Sequence, residues 1–189
     1  MPDTLHVINL KHRVDRLSSF QKEAQHQAII DFKIWEGVFI RAIPIYAILQ
    51  SHKMIVADAK QKGLPRVVIA EDDIKFLGLG AWEYYLKNIP DDYDLYLGGV
   101  FSGIVKEDNT IEDFSGMTLY TVHERFYDTF LALNKIDNID RQLARKGKYV
   151  VCNPIVVSQW GGFSDNKLGV TEEYDSLIRS MGLKMFNEQ

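Results

Sequence analysis

The sequence predicts an α/β layered domain built on a mainly parallel sheet, and three observations carry that prediction. Residues 67–70 (Val-Val-Ile-Ala) form a short apolar run without alternation, the pattern of a strand covered on both faces. Strand-like and helix-like segments alternate along most of the chain, as they do in layered α/β architectures. A length of 189 residues suits one well-packed domain and is short for two, so residues 1–189 are read as a single unit.

Taken in order, residues 5–10 (Leu-His-Val-Ile-Asn-Leu) read as the first strand, and Lys11 to Arg16 as a charged turn leading into a helix. Leu17, Phe20, Ala24 and Ala28 then fall on one helical face. Residues 29–38 suit a short second strand that turns at Gly37. Pro44 fits the first turn of a helix, where its missing N–H is not needed, and this helix runs past Leu49 and His52 to a stop near Gly63-Leu64-Pro65. After residues 67–76, Gly78 and Gly80 mark a break. Residues 81–89 read as a helix, 93–100 as a strand closed by Gly98-Gly99, and 102–116 as a polar, glycine-flanked loop or hairpin. Residues 117–122 follow as a strand, 125–133 and 139–146 as helices, and 149–152 as a late strand before the turn at Asn153-Pro154. Residues 158–166 (Ser-Gln-Trp-Gly-Gly-Phe-Ser-Asp-Asn) have the composition of a loop over a pocket or of a plain surface loop. A short amphipathic helix is expected around Tyr174, Leu177 and Ile178.

Composition narrows the function classes. A net charge of −4 with no Lys/Arg block shows no nucleic-acid footprint. The single cysteine, Cys152, excludes an intramolecular disulfide and a cysteine-rich zinc site. The N-terminal residues lack the basic and apolar regions of a signal peptide, and no apolar run approaches membrane-spanning length, so a soluble, cytoplasmic protein without an integral membrane segment is expected.

The chemistry is expected at Glu71, Asp72 and Asp73, which follow the apolar strand directly. Ligands of open α/β sheets bind beyond the carboxyl ends of the strands. Two carboxylates about 5 Å apart repel by roughly 3 kcal/mol at an effective dielectric of about 20. The triplet is therefore solvated, partly protonated or shared with a cation, and hard oxygen ligands suit Mg²⁺ or Mn²⁺ bridged to phosphates. A plain helix cap or solvated turn explains the same residues. Arg13 and Arg16 can meet a phosphate, although pairing with Asp15 at a helix start is the commoner use. His52, on a largely apolar helix, reads first as a core histidine. Gly98 permits close approach of a ligand to the backbone, or simply serves a turn.

Four stretches in this order resemble glycosyltransferase family 25, the lipopolysaccharide and procollagen galactosyltransferase group. They are Val7-Ile8-Asn9-Leu10 with Arg13 and Asp15-Arg16, the helix bearing Ser51-His52, Val68 to Asp73, and Gln159 with Phe163-Ser164-Asp165. The residues 94–98 and 140–143 fit weaker positions of the pattern, and the likeness spans residues 5–166. The resemblance implies a glycosyltransferase A-type fold and a nucleotide-diphospho-sugar donor, most often UDP-galactose. It further implies a glycan or protein hydroxyl as acceptor, and Mn²⁺ or Mg²⁺ held by Asp73, Asp72 and Glu71. On the same basis Asn9, Arg13, Arg16, His52 and Gly98 fall near the donor, and Asp140 and Asp72 are the catalytic candidates. The chain departs from the family pattern in the bulky stretch from Pro44 to Gln50 ahead of Ser51-His52, and it is shorter than many members. Those departures motivate an alternative, a non-catalytic nucleotide-sugar or glycan-binding relative. A phosphoacceptor receiver domain also places paired aspartates at a strand end, but its pair belongs after the first strand, where Lys11-His12-Arg13 stands here.

Overall fold

The computed structural model describes residues 3–165, 169–171 and 174–188. The first half of the chain alternates β1 (Leu5–Asn9), α1 (Val14–His26), β2 (Phe32–Glu36), α2 (Pro44–Gln61), β3 (Arg66–Glu71), β4 (Ile74–Phe76), α3 (Ala81–Lys87) and β5 (Leu95–Leu97). Three two-residue strands, β6 (Ser102–Gly103), β7 (Thr110–Ile111) and β8 (Phe114–Ser115), precede β9 (Leu119–His123). Then follow α4 (Tyr127–Leu131), α5 (Ile139–Leu143), β10 (Tyr149–Val151), β11 (Val157–Gln159), β12 (Gly162–Ser164), β13 (Gly169–Thr171) and α6 (Asp175–Ser180).

A seven-stranded sheet of order β2-β1-β3-β9-β5-β10-β7 forms the centre. Strand β1 pairs in parallel with β2 and β3, and β10 in parallel with β5, so the carboxyl ends of these five strands share one edge. The sheet is mixed rather than mainly parallel, because β9 runs antiparallel between β3 and β5, and β7 antiparallel to β10. The cause lies in the excursion after β5. The short strands β6 and β8 pair with each other and return the chain to the edge where β5 ended, so β9 has to run back down the sheet.

Burial follows the pleat. In β3, Val67 and Ile69 enter the core beneath α2 and α4, while Val68 and Ala70 enter the core beneath α1 and α3, and all four are at most 3 % exposed. A strand covered on both faces must be apolar on both, which is why residues 67–70 show no alternation. Helix α2 contributes Leu49, Ile55, Val56 and Ala59 to the first core, and α1 contributes Phe20 and Ala24 to the second. Tyr85 of α3 ties the second layer to the sheet by hydrogen bonds to the Tyr96 carbonyl (3.0 Å) and the Thr121 hydroxyl (2.8 Å).

Three segments differ from their sequence patterns. The helix expected over 139–146 stops at Leu143, because Arg145 adopts φ +61° and its N–H bonds the Glu112 carbonyl. The segment 125–133 begins as a 3₁₀ turn, Glu124–Phe126, before α4. The segment 158–166 is not a plain loop. Gln159 ends a strand paired with β4, and Gly162–Ser164 pairs with β13, while Asn166 lies outside the described residues.

Gly99 shows how tightly the carboxyl edge is assembled. A Cβ there would sit 2.3 Å from the Val157 carbonyl oxygen, a backbone atom that cannot yield without moving β11. Gly99→Ala is expected to lower unfolding free energy by about 2–3 kcal/mol, measured by urea denaturation.

Candidate functional site at the carboxyl edge of the sheet

Asp72 and Asp73 form the tight turn between β3 and β4 and are both buried. Their side chains share one cation. Arg16 Nη1 donates to Asp72 Oδ1 at 3.2 Å and to Asp73 Oδ2 at 2.8 Å, and Asn9 Nδ2 donates to Asp72 Oδ2 at 2.6 Å. The turn is pinned from outside by Trp160, whose N–H bonds the Asp73 carbonyl at 2.8 Å. Among the described residues the buried Asp73 Oδ1 accepts no hydrogen bond, although the Gln159 side chain favours the charged carboxylate. Burial, and then the neighbouring Glu71 charge, push the Asp73 carboxyl up to about 7 against the pull of Arg16. Burial also raises Asp72, with Arg16 and Asn9 opposing.

A second tier of bonds closes over this pair. Arg13 Nη1 donates to the Phe163 carbonyl (3.0 Å) and to Asp165 Oδ2 (2.6 Å), and Arg16 Nη2 donates to the same Phe163 carbonyl (3.0 Å). His12 Nε2 lies 3.0 Å from Asp165 Oδ1. Arg13 also grips Asp15 through two bonds of 2.9 and 2.8 Å, so the helix-start pairing and the approach to the site are both real. That bidentate grip, more than any other contact, raises the Arg13 pKa.

Beside the acid pair an open cleft of about 620 Å³ lies between the ends of β1 and β2, lined by Lys11, His12, Glu36, Gly37, Val38 and Phe39. His12 meets Phe39 edge to face, with ring centroids 4.9 Å apart. The cleft and the acid pair are one residue apart. The Gly37 N–H bonds the Asn9 carbonyl at 2.9 Å while the Asn9 side chain holds Asp72. Val38 of the cleft lining is held by α2, where Ser51 Oγ accepts its N–H at 2.8 Å.

The structure brings Asn9, Arg13, Arg16, Asp72 and Asp73 into this network, with Glu71 at its margin. His52 is 1 % exposed and lies beneath Glu71, its Nε2 3.5 Å from Glu71 Oε1. Gly98 is buried where a Cβ would sit 2.9 Å from the Leu119 side chain, and its N–H bonds the Leu119 carbonyl, so the missing side chain makes room for β9. Asp140 accepts bonds from Ser115 Oγ (3.0 Å), the Gly116 N–H (3.4 Å) and the Arg141 N–H (2.8 Å), holding β8 against α5 rather than facing the acid pair. His12 and Phe39 were not singled out from the sequence. Their signal was position alone, since both follow strands whose carboxyl ends share the site's edge.

Among the described residues, no three His, Cys, Asp or Glu side chains converge as a ready-made metal-binding group. No protein-family model matches the sequence, and no curated protein matches it. In structure the chain is similar to A197 from STIV, with a TM-score of 0.55 at 9 % identity over 91 % of this chain and 94 % of that one. Looser likenesses are a glycosyltransferase involved in the glycosylation of the major capsid of PBCV-1 (TM-score 0.48, 10 % identity, 95 % and 100 % covered) and HddC from Yersinia pseudotuberculosis (0.44, 13 %, 80 % and 90 %). The fold is thus a Rossmann-like mixed sheet flanked by helices, shared with A197. No helix among the described residues is long and apolar enough to cross a membrane.

The state of Asp73 sets a pH dependence. Its folded pKa of about 7 stands above the ordinary 3.8, so between these values the unfolded chain ionises while the folded carboxyl keeps its proton. Stability therefore falls as pH rises from about 4 to about 7 and levels off above. Melting temperatures recorded across pH 4 to 8 are expected to show this fall, and Asp73→Asn, which cannot ionise, is expected to flatten it.

Proposed function

We propose that the protein is a glycosyltransferase of the A type, similar to family 25, that moves a sugar from a nucleotide-diphospho-sugar to a glycan or protein hydroxyl. One observation carries this reading. The buried acid pair at the carboxyl end of β3 is joined, through Asn9, to an open cleft at the ends of β1 and β2. In this reading the cleft takes the nucleotide base against Phe39 and His12, with the phosphates directed out of it toward Arg13 and Arg16. The order of the family-like motifs supports the same reading, with UDP-galactose as the donor that resemblance favours.

The acid pair suits a divalent ion of the Mg²⁺ or Mn²⁺ kind. Such ions take one or two carboxylates and complete their shell with substrate phosphates and water, so a cage of protein side chains is not required. Asp73, with its orphaned Oδ1, and Asp72 would hold it. When bound, the ion neutralises charge on the departing nucleotide diphosphate. The chain's own residues do the rest. Arg16 keeps both aspartates in one plane of contact, Asn9 fixes Asp72, and the carbonyl of Phe163 holds Arg13 and Arg16 over the site. Asp140, bonded to the backbone of Gly116 and Arg141, takes no part in this reading.

A second reading, a non-catalytic nucleotide-sugar-binding relative, is favoured by Arg16 itself, whose guanidinium already stands between both aspartates. Metal-dependent hydrolysis of the donor separates the two, since a binder shows none.

Calorimetric titration of UDP- and GDP-sugars, with and without Mn²⁺, tests the proposal. One donor is expected to bind in a metal-dependent way, and Asp73→Asn is expected to weaken it at least tenfold. A folded protein that binds no donor overturns the assignment. Phe39→Ala, which removes the aromatic wall of the cleft, is expected to weaken nucleotide binding by about tenfold, the scale of one stacking contact of roughly 1.4 kcal/mol.

A further inference from the structure

Tyr120 of β9 is fully buried, and its hydroxyl lies 2.6 Å from His52 Nδ1, with the two rings stacked 5.8 Å apart. Among the described residues the phenol has no other hydrogen-bond partner. A buried O–H has to donate, and the one acceptor in reach is the Nδ1 lone pair. Burial, and then the Glu71 charge, hold the phenol pKa well above 10, so it keeps its proton. The imidazole therefore carries its hydrogen on Nε2, which faces Glu71 Oε1 at 3.5 Å. A hydrogen bond between Tyr120 and His52, and a longer 3.5 Å charge contact between His52 and Glu71, lead from the middle of the sheet to the margin of the site.

Glu71 is the open member of the acidic triplet. Its side chain is 30 % exposed against 8 % for Asp72 and Asp73, and Arg16 does not engage it. Its second oxygen, Oε2, accepts no hydrogen bond among the described residues, whereas every bond around the two aspartates is already committed to Arg16 or Asn9 except at Asp73 Oδ1. A partly exposed carboxylate at a strand end, with His52 Nε2 3.5 Å behind one oxygen and the other oxygen open, can accept a hydrogen bond from a ligand hydroxyl.

We propose that Tyr120 and His52 are positioning residues that fix the imidazole tautomer and thereby aim Glu71 Oε2 at a sugar hydroxyl. His52, being buried, reaches the ligand only through Glu71. The inference rests on the glycosyltransferase reading for the identity of the ligand and on the buried Tyr120–His52 hydrogen bond for the tautomer.

Two measurements test it. In the ligand-free protein labelled with ¹⁵N-histidine, long-range proton–nitrogen correlation is expected to show His52 protonated at Nε2 and unprotonated at Nδ1. Tyr120→Phe is expected to redistribute that proton. A proton on Nδ1 in the wild type overturns the proposal. In binding, Glu71→Gln and His52→Leu are expected to weaken the sugar-specific contact about tenfold, the scale of a hydrogen bond to a charged group. In Tyr120→Phe, binding of the bare nucleoside diphosphate is expected to stay unchanged. A hydroxyl on the donor registers in nucleotide-sugar affinity, and a hydroxyl on the acceptor in the acceptor KM. His52→Gln, whose amide N–H replaces Nε2–H, is expected to stay within about twofold of wild type, a rescue that a merely structural role would not produce. Tyr120→Phe keeps the packing volume and serves where His52→Leu fails to fold. Sugar-specific binding unchanged in Tyr120→Phe and His52→Leu, with the nucleotide still bound, overturns this proposal alone. A wild type that binds neither nucleotide nor nucleotide sugar overturns the function proposed above, and the ligand contact of Glu71 with it.

Discussion

Arg16 supplies the positive charge on which the carboxyl edge of β3 depends. Its guanidinium contacts both buried aspartates and the Phe163 carbonyl, so one side chain joins the acidic turn to the strand that closes over it. Two buried carboxylates about 5 Å apart repel by roughly 3 kcal/mol at an effective dielectric of about 20, and a guanidinium in contact with both outweighs that repulsion. With Glu71 beside them, however, one cation faces three acids. Burial first, and then this surplus, push the Asp73 carboxyl up to about 7, and the surplus is relieved either by a proton or by a second cation at Oδ1, which has no hydrogen-bond partner among the described residues. The chemistry proposed for the site follows from that imbalance more than from the count of acidic residues.

The reversed strand β9 has a consequence beyond topology. Running antiparallel beside β3, it sets Tyr120 level with Ile69 and Leu119 level with Ala70, one step below the acidic turn. A buried phenol in that position has to find an acceptor, and α2 packs His52 against it. The same register places Leu119 against Gly98, which explains why a side chain is absent at the end of β5.

Much of this was legible in the sequence where the signal is local. The unbroken apolar run of residues 67–70 announced a strand covered on both faces, and Pro44 marked the start of α2 at its first turn. The position of Asp72 and Asp73 was legible as the end of an apolar strand, whereas the nearness of Asn9 and Arg16 came only from the family resemblance. What was not legible is what depends on partners distant in the chain. The direction of β9 is set by where the preceding excursion returns, which no periodicity records. The segment around Gln159 and Phe163 has loop composition, and becomes strand because β4 and β13 offer backbone partners. Asp140 has the residue type of a catalytic acid or base, yet its bonds are from the Ser115 hydroxyl and the backbone N–H groups of Gly116 and Arg141.

Ser51 and His52 show how adjacent positions divide one task. Successive residues on an α-helix point about 100° apart, so two neighbours address different walls. Ser51 takes the Val38 N–H and fixes the wall of the cleft, while His52 turns to Tyr120 and Glu71 beneath the acidic end. Both side chains issue from an 18-residue helix whose inner face is packed in the core. The separation between cleft and carboxylates is therefore set by a rigid element, not by the loops that line them. Under the function proposed above, a ligand with one apolar, planar end and another rich in hydroxyl and phosphate oxygens would need that separation fixed to within a fraction of an ångström. Placing both anchors on consecutive residues of one helix meets the requirement with the fewest moving parts, and gives a physical reason for the Ser-His pair to occur where it does.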